Sequence, residues 1–313
     1  MKLSLVVPCY NEAENVAAFQ DAAIAAFQGC GYDYEIIFVD DGSADATIHE
    51  LRKLYSAQKC PVKVVSFSRN FGKEAGIYAG IKHSCGEYVC LIDADLQQRP
   101  EIARDMVKIL DEQPQYDVVA AYQDRRGESK VLSFFKKCFY KLINALSDVN
   151  LKSDASDFRT FRRSVADSIL LLGEYHRFSK GIFAWVGYKT CFIPYVACQR
   201  KAGQTKWNFP KLFNYAVDGI IGYSTKPLRM ATFMGSLTSA AAFFYLIVVI
   251  LQKLISGIDI PGYATIIVLI LLLGGVQLLC IGIIGEYVGR TFEQSKDRPI
   301  YITKEVLSYE NND

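Results

Sequence analysis

Two stretches without a single charge constrain this chain more than any other feature. Met230 to Leu251 contains no Asp, Glu, Lys or Arg, and Ile260 to Gly285 contains none either. At 1.5 Å per helical residue, each is long enough to cross a hydrocarbon core of about 30 Å. A short Gly- and Pro-containing connection joins them, so residues 230–285 are expected to form a hairpin of two transmembrane helices. The connection offers Lys253 and Asp259, whereas Lys226 and Arg229 precede the hairpin and Arg290, Lys296, Arg298 and Lys304 follow it. Basic flanks stay on the cytoplasmic side. Both flanks, and the domain before them, are therefore expected in the cytoplasm, on the inner (plasma) membrane. The competing arrangement packs the same helices as the apolar core of a soluble dimer. Extraction by salt or alkali without detergent would favour that alternative.

The rest of the chain is of ordinary polarity. Overall it is 51% hydrophobic and 22% charged, and the apolar excess lies after residue 230. A formal net charge of +2 gives no polyanion-binding signature. The nine Cys form no CxxC pair and the three His are scattered, which argues against zinc and histidine metal sites. The opening apolar run, Leu3 to Val7, stops at Pro8 and is too short for a cleavable signal.

Before residue 125, short apolar runs alternate with helical patterns. LSLVV, YEIIFVD, VKVVSFS, YVCLIDAD and YDVVAAY read as strands, with helices between them. This alternation predicts an α/β domain with a mostly parallel sheet. Ligands of such sheets bind beyond the carboxyl ends of the strands. PCYNE, DDGS, SRNFGKE and DADLQ all fall there.

Asp93 and Asp95 sit where the buried fourth strand emerges. Residues i and i+2 of a strand share a side, and two carboxylates so placed repel unless a cation or a solvated cleft separates them. Mg2+ or Mn2+ is commonly held by one or two carboxylates plus phosphate oxygens. Asp40 and Asp41 end the second strand, and a carboxylate there can accept hydrogen bonds from a ribose or a base. Turn and cap chemistry accounts for Gly42, Ser43 and Asp45, but not for both acids. Neither GxGxxG after the first strand nor GxxxxGK[ST] occurs, which disfavours a dinucleotide oxidoreductase and a P-loop NTPase.

In order, VVPCYNEAENV, VDDGSADAT, SRNFGKEAG and LIDADLQQRPE resemble the family 2 glycosyltransferases with a GT-A fold. SDFRTFRR, GQTKWNF, the two apolar spans and GEYVGRTFEQSKDRPIYI narrow the resemblance to the polyprenyl-phosphate branch, which contains bactoprenol glucosyltransferases and dolichol-phosphate mannose synthases. The region that reads QxxRW in processive synthases is QRKAGQTKW here, which argues for single transfer.

The resemblance implies a role for each matching residue. Pro8, Tyr10, Glu12, Asp40 and Asp41 should line a nucleoside pocket. Asp93 and Asp95 should hold a diphosphate through Mg2+ or Mn2+, with Gln97 close by. Asp157 matches the acid often assigned as catalytic base. Arg159, Arg200 and Lys206 should handle phosphate charge, with Lys73 and Arg163 as further phosphate ligands. The partners implied are a nucleotide sugar, most simply UDP-glucose, and undecaprenyl phosphate in the membrane, with a homotetramer as the assembly. GDP-mannose and a UDP-aminopentose are alternative donors. A non-catalytic membrane scaffold is a further alternative, opposed by the intact acid set.

One physical objection bears on Asp157. A lipid phosphate monoester has a second pKa of about 6 and is already a nucleophile at neutral pH. Asp157 is therefore expected to orient Arg159 or Lys206 rather than to remove a proton. The chain divides into a catalytic domain over 1–208, a juxtamembrane segment over 209–229, the hairpin over 230–285 and a cytoplasmic tail over 286–313. Within the first, 130–146 mixes apolar and basic residues as an interfacial helix would.

Overall fold

A computed structural model describes residues 1–123, 155–196, 219–256 and 262–308. The expected helix at 130–146, Arg200, Lys206 and residues 209–218 lie outside the described residues.

Four apolar runs form the parallel centre of the sheet: β1 (Leu3–Cys9), β2 (Tyr34–Asp40), β3 (Val62–Phe67) and β4 (Tyr88–Leu91), in spatial order β3-β2-β1-β4. They are near-continuous apolar because helices cover both faces. On one face Leu5, Val7, Ile36 and Phe38 meet α1 (Val16–Phe27), α2 (Thr47–Ala57) and α4 (Pro100–Glu112). On the other, Val6, Ile37 and Val39 meet α3 (Lys73–His83). Alternate residues of each strand thus feed alternate layers. Pro100 opens α4, where its missing N–H costs nothing.

The remaining strands extend the sheet and change its direction. β5 (Val118–Gln123) does not pair with β4, because β6 (Ala155–Arg162) lies between them, antiparallel to both. After α5 (Arg163–Leu170) and α6 (Ser179–Trp185), β7 (Thr190–Tyr195) pairs parallel to β5. The inserted β6 matters most for function. Its register pairs Leu91 with Arg159. Continued two residues further, that register brings Asp157 opposite Asp93.

Two long apolar helices follow, α7 (Lys226–Ser256) and α8 (Tyr263–Ser295). Both are long and apolar enough to cross a membrane, and large side chains such as Phe243, Leu246 and Leu271 stand exposed along them. The segment before α7 does not simply lie along a membrane surface. Tyr223 is buried against Phe178 and its hydroxyl donates to Glu174 at 3.2 Å. Gly181 makes this docking possible, since a Cβ there would stand 2.4 Å from the Tyr223 ring.

The C-terminal residues are likewise not a detached tail. After α8 the chain returns to the domain, and β8 (Thr303–Leu307) pairs antiparallel with β3 as the sheet's edge. Tyr301 stacks on Phe67 with ring centroids 4.8 Å apart, and Arg52 pairs with Glu305 at 2.6 Å. The two apolar helices and the sheet domain are therefore joined at both ends of the hairpin.

Candidate active site

A cleft of about 870 Å³ opens at the carboxyl ends of β1, β2 and β4. Pro8, Tyr10, Glu12, Asp41, Lys73, Asp93, Asp95 and Asp157 all line it, so most of the residues singled out in the sequence converge. Tyr10 is exposed in the cleft.

The acid pair at 40–41 divides between the cleft and the turn behind it. Asp40 is buried behind the cleft, where its carboxylate accepts from Ser66 Oγ at 2.9 Å and from the Ser43 N–H at 3.1 Å. Asp41 does line the cleft, but its oxygens accept the N–H groups of Phe71 at 2.6 Å and Gly72 at 2.9 Å. Burial pushes its carboxyl upward against those bonds. Asp41 thus braces the 69–72 loop, while Asp40 ties the 42–43 turn to β3. Gly42 completes the brace: its φ is +62°, and a Cβ would stand 2.4 Å from the Arg69 carbonyl carbon.

Asp93 is held by its neighbour Gln98. The Gln98 side chain accepts the Asp93 N–H at 3.0 Å, donates to Asp93 Oδ2 at 3.4 Å and reaches Ser156 Oγ at 3.3 Å. Gln97 contributes only its backbone N–H, to Asp95 Oδ1 at 3.1 Å. Leu96 makes this turn with a left-handed backbone, φ 58°. That conformation is costly for a bulky residue and is found chiefly where the surroundings impose it.

Lys73, the first residue of α3, is the centre of the cleft's charge. Its ammonium lies 2.7 Å from Asp93 Oδ1 and 3.4 Å from Asp157 Oδ2. Burial opposes that charge, yet Asp93 and Asp157 hold Lys73 above its ordinary value. Burial opposes the Asp157 charge too, but Lys73, Lys180 and Arg159 bring that carboxyl down to about 2. Among the described residues its buried Oδ1 has no hydrogen-bond donor. Beside them Glu74 accepts the Ser179 N–H at 3.0 Å and is raised, first by burial and then by the Asp157 charge.

The expected phosphate ligands divide. Lys73 is in the cleft. Arg159 is buried beneath it, its guanidinium 4.1 Å over the Phe183 ring and donating to Ser156 O at 3.0 Å. From there its charge favours the ionised form of Asp157. Arg163 is at the far end of β4, where it donates to Gly86 O at 2.9 Å and Ser84 Oγ at 3.1 Å, so it is a structural residue and not a phosphate ligand. Lys180 opens α6 near Asp157, where burial lowers its pKa. Nothing in its local sequence set it apart.

The cleft rim is tied to the apolar hairpin. Tyr175, His176 and Arg177 line the rim. Gln294 of α8 accepts the Tyr175 N–H at 2.8 Å and donates to Gly173 O at 3.2 Å, while Glu293 pairs with His176. Ile300, just beyond α8, also lines the cleft. These links join residues more than a hundred positions apart, so no local pattern could announce them.

Asp93 and Asp95 suit a hard divalent cation. Both are oxygen donors facing one cleft, and such an ion completes its shell with phosphate oxygens and water. Among the described residues no group of three His, Cys, Asp or Glu forms a closed cage. The pair therefore fits an ion that arrives with, or is completed by, a phosphate ligand.

Comparison with known proteins agrees with this architecture. Residues 4–170 match the family described as glycosyl transferase family 2, and residues 226–291 match the GtrB C-terminal hairpin. The chain is 42% identical to a putative glycosyltransferase of Bacillus subtilis over 97% of its own length and 91% of that protein's. It is 40% identical to a prophage bactoprenol glucosyl transferase homolog of Escherichia coli, over 98% of this chain and 99% of that one. It is also 40% identical to the bactoprenol glucosyl transferase of Shigella phage SfV, over 97% and 98%. With the cleft at the strand ends, the hairpin behind it and matches of this extent, the chain belongs to glycosyl transferase family 2 and is a glycosyltransferase carrying the GtrB C-terminal hairpin.

Proposed function

We propose that the protein transfers a hexose, glucose from UDP-glucose, to a polyprenyl phosphate, undecaprenyl phosphate, with inversion at the anomeric carbon. The observation that carries this reading is the direct linkage of the donor cleft to the apolar hairpin through Gln294 and Glu293. A soluble acceptor would need no such linkage, whereas a lipid phosphate arrives along the helices. The relatives named as bactoprenol glucosyl transferases support the same acceptor class.

In this reading Tyr10, Pro8 and Glu12 receive the nucleoside, and the loop braced by Asp41 closes over it. Asp93 and Asp95 hold Mg2+ or Mn2+, which supplies positive charge to the diphosphate. The acceptor phosphate oxygen attacks the anomeric carbon from the face opposite the diphosphate, and the bond from that carbon to the diphosphate oxygen breaks. Asp157 stays ionised and fixes Lys73, which offsets charge on the phosphates. Fixed groups aimed at developing charge usually contribute most in such a site. The catalytic domain works on the cytoplasmic face of the inner membrane, in a homotetramer.

The test is transfer of radiolabelled sugar into lipid by the purified full chain with Mn2+ or Mg2+. UDP-glucose with undecaprenyl phosphate is expected to give product, and GDP-mannose or a UDP-aminopentose little. Preference for either of those donors would overturn the glucose assignment. Absence of lipid product with every donor would overturn the transfer itself.

A further inference from the structure

We infer that Lys73 is a built-in counter-cation of the empty donor cleft, one that competes with the divalent ion for Asp93 and passes to phosphate when donor and ion arrive. The inference rests on the divalent-ion part of the proposed function and deepens it.

The charges in the cleft leave little alternative. Asp93, Asp95 and Asp157 line one cavity, and Lys73 bridges two of them, at 2.7 Å and 3.4 Å. Lys180 and Arg159 also act on Asp157, but Lys73 is the cation that bridges Asp157 and Asp93; without it the two carboxylates would lose their shared partner, which is unfavourable at such range. With it, Asp93 Oδ1 is occupied by an ammonium, while Oδ2 faces the Gln98 amide. An ion that binds Asp93 through Oδ1 therefore competes with the Lys73 contact, both by position and by charge.

Asp157 offers Lys73 somewhere to stay. It already shares the ammonium, and its second oxygen, Oδ1, is buried with no hydrogen-bond donor among the described residues. Lys73 is also suited to move. It is the first residue of α3, its side chain is 45% exposed, and four methylenes carry a compact charge. Released from Asp93 but held by Asp157, the ammonium remains in the cleft, available to a phosphate oxygen. Asp157 is then a positioning residue acting through Lys73.

The experiment measures free Mn2+ by electron paramagnetic resonance during titration of the full-length detergent-solubilised protein, with and without UDP. No turnover is involved. Without UDP, Lys73→Met is expected to bind Mn2+ about two- to fivefold more tightly than wild type, the factor for losing a competing exposed ion pair of about 0.5–1 kcal/mol. Lys73→Arg keeps the competing charge and stays near wild type. With UDP the advantage of Lys73→Met shrinks or reverses, because the phosphate contact is lost. Asp157→Asn, which returns Lys73 wholly to Asp93, weakens Mn2+ binding, and does so less in the Lys73→Met background. The double-mutant comparison separates this local exchange from a general change in field.

Equal or weaker Mn2+ binding by a folded Lys73→Met, or additive effects of the two substitutions, would overturn the inference while leaving the metal reading intact. If Lys73→Met does not fold, Lys73→Gln, which also removes the charge but keeps a polar chain, decides the same question: tighter Mn2+ binding without UDP supports the exchange, and equal or weaker binding overturns it. Wild type that binds no Mn2+ even with UDP would overturn both.

Discussion

The cations around Asp157 favour its ionised form at neutral pH, which argues for an orienting role rather than for proton removal. Its carboxyl sits at about 2, while an efficient general base lies near the working pH. The sign of the coupling follows. A depressed carboxyl stabilises the fold above its unfolded value of about 3.9, and that stabilisation is lost as pH falls toward about 2. Lys73, raised, contributes below its unfolded value of about 10.4 and loses that contribution only as pH rises through its still higher folded value. Between about pH 5 and 9 the pair keeps one charge state. The rate should therefore follow the acceptor phosphate, with an inflection near its second pKa of about 6. Asp157→Asn is expected to lower kcat/KM about a hundredfold by misplacing Lys73, and by the same factor at pH 6 and pH 9. A deficit that vanishes at pH 9 would restore the base. Gly42 gives a second prediction at this scale. Gly42→Ala forces a left-handed alanine against the 69–70 backbone, costing about 2–4 kcal/mol in all. Thermal unfolding should show that loss, together with weaker UDP binding as the Asp41 brace slips.

The elements show which features could be read in the sequence and which could not. The four central strands were legible because burial on both faces demands continuous apolar runs, and their ends were legible because acids and glycines cluster there. The motif SDFRTFRR marked Asp157 as important but gave no sign that it begins an antiparallel strand. Its two faces serve different layers, Phe158 in one and Phe161 in the other, so its polar residues obscure the strand. Arg159 and Arg163 looked alike as cations. Only the sheet register sends one beneath the cleft and the other to the opposite end of β4. Gln97 and Gln98 were indistinguishable until the left-handed turn at Leu96 selected Gln98. The C-terminal strand was hidden for another reason: an exposed edge strand is short and mixed in polarity. These long-range contacts carry the element-scale prediction. Gln294→Ala removes two hydrogen bonds to the cleft rim, at about 1 kcal/mol each. Tyr301→Ala removes the stacking on Phe67 beside Ile300, at about 1–3 kcal/mol. Both should raise the donor KM more than they lower kcat. Unchanged donor KM in both would mean that the hairpin anchors the domain without shaping its cleft.

At the scale of the molecule, helix length connects the membrane to the chemistry. Thr265 to Gly285 runs about 31 Å at 1.5 Å per residue, matching a hydrocarbon core of about 30 Å. Yet α8 continues to Ser295, so its last turns, from Glu286 onward, extend roughly 15 Å beyond the core. Those turns carry Glu293 and Gln294, the residues that hold the cleft rim. The membrane surface and the donor cleft are thus separated by a rigid rod, and a lipid phosphate at the headgroup level lies within reach of the domain. Because α7 and α8 form a hairpin, the helix ends that adjoin the domain are expected on one side of the bilayer, and the basic residues Lys226, Arg229, Arg290, Lys296 and Arg298 favour the proposal that this side is the cytoplasm. Sealed vesicles test the assignment, since UDP-glucose does not cross a bilayer. Inside-out vesicles should convert externally added UDP-glucose into lipid-linked sugar, and right-side-out vesicles should do so only after detergent opens them. The protein should also remain with the membrane through an alkaline wash. Equal turnover in intact vesicles of both orientations would reverse the topology, and release by the wash would replace the membrane hairpin with a helical dimer core.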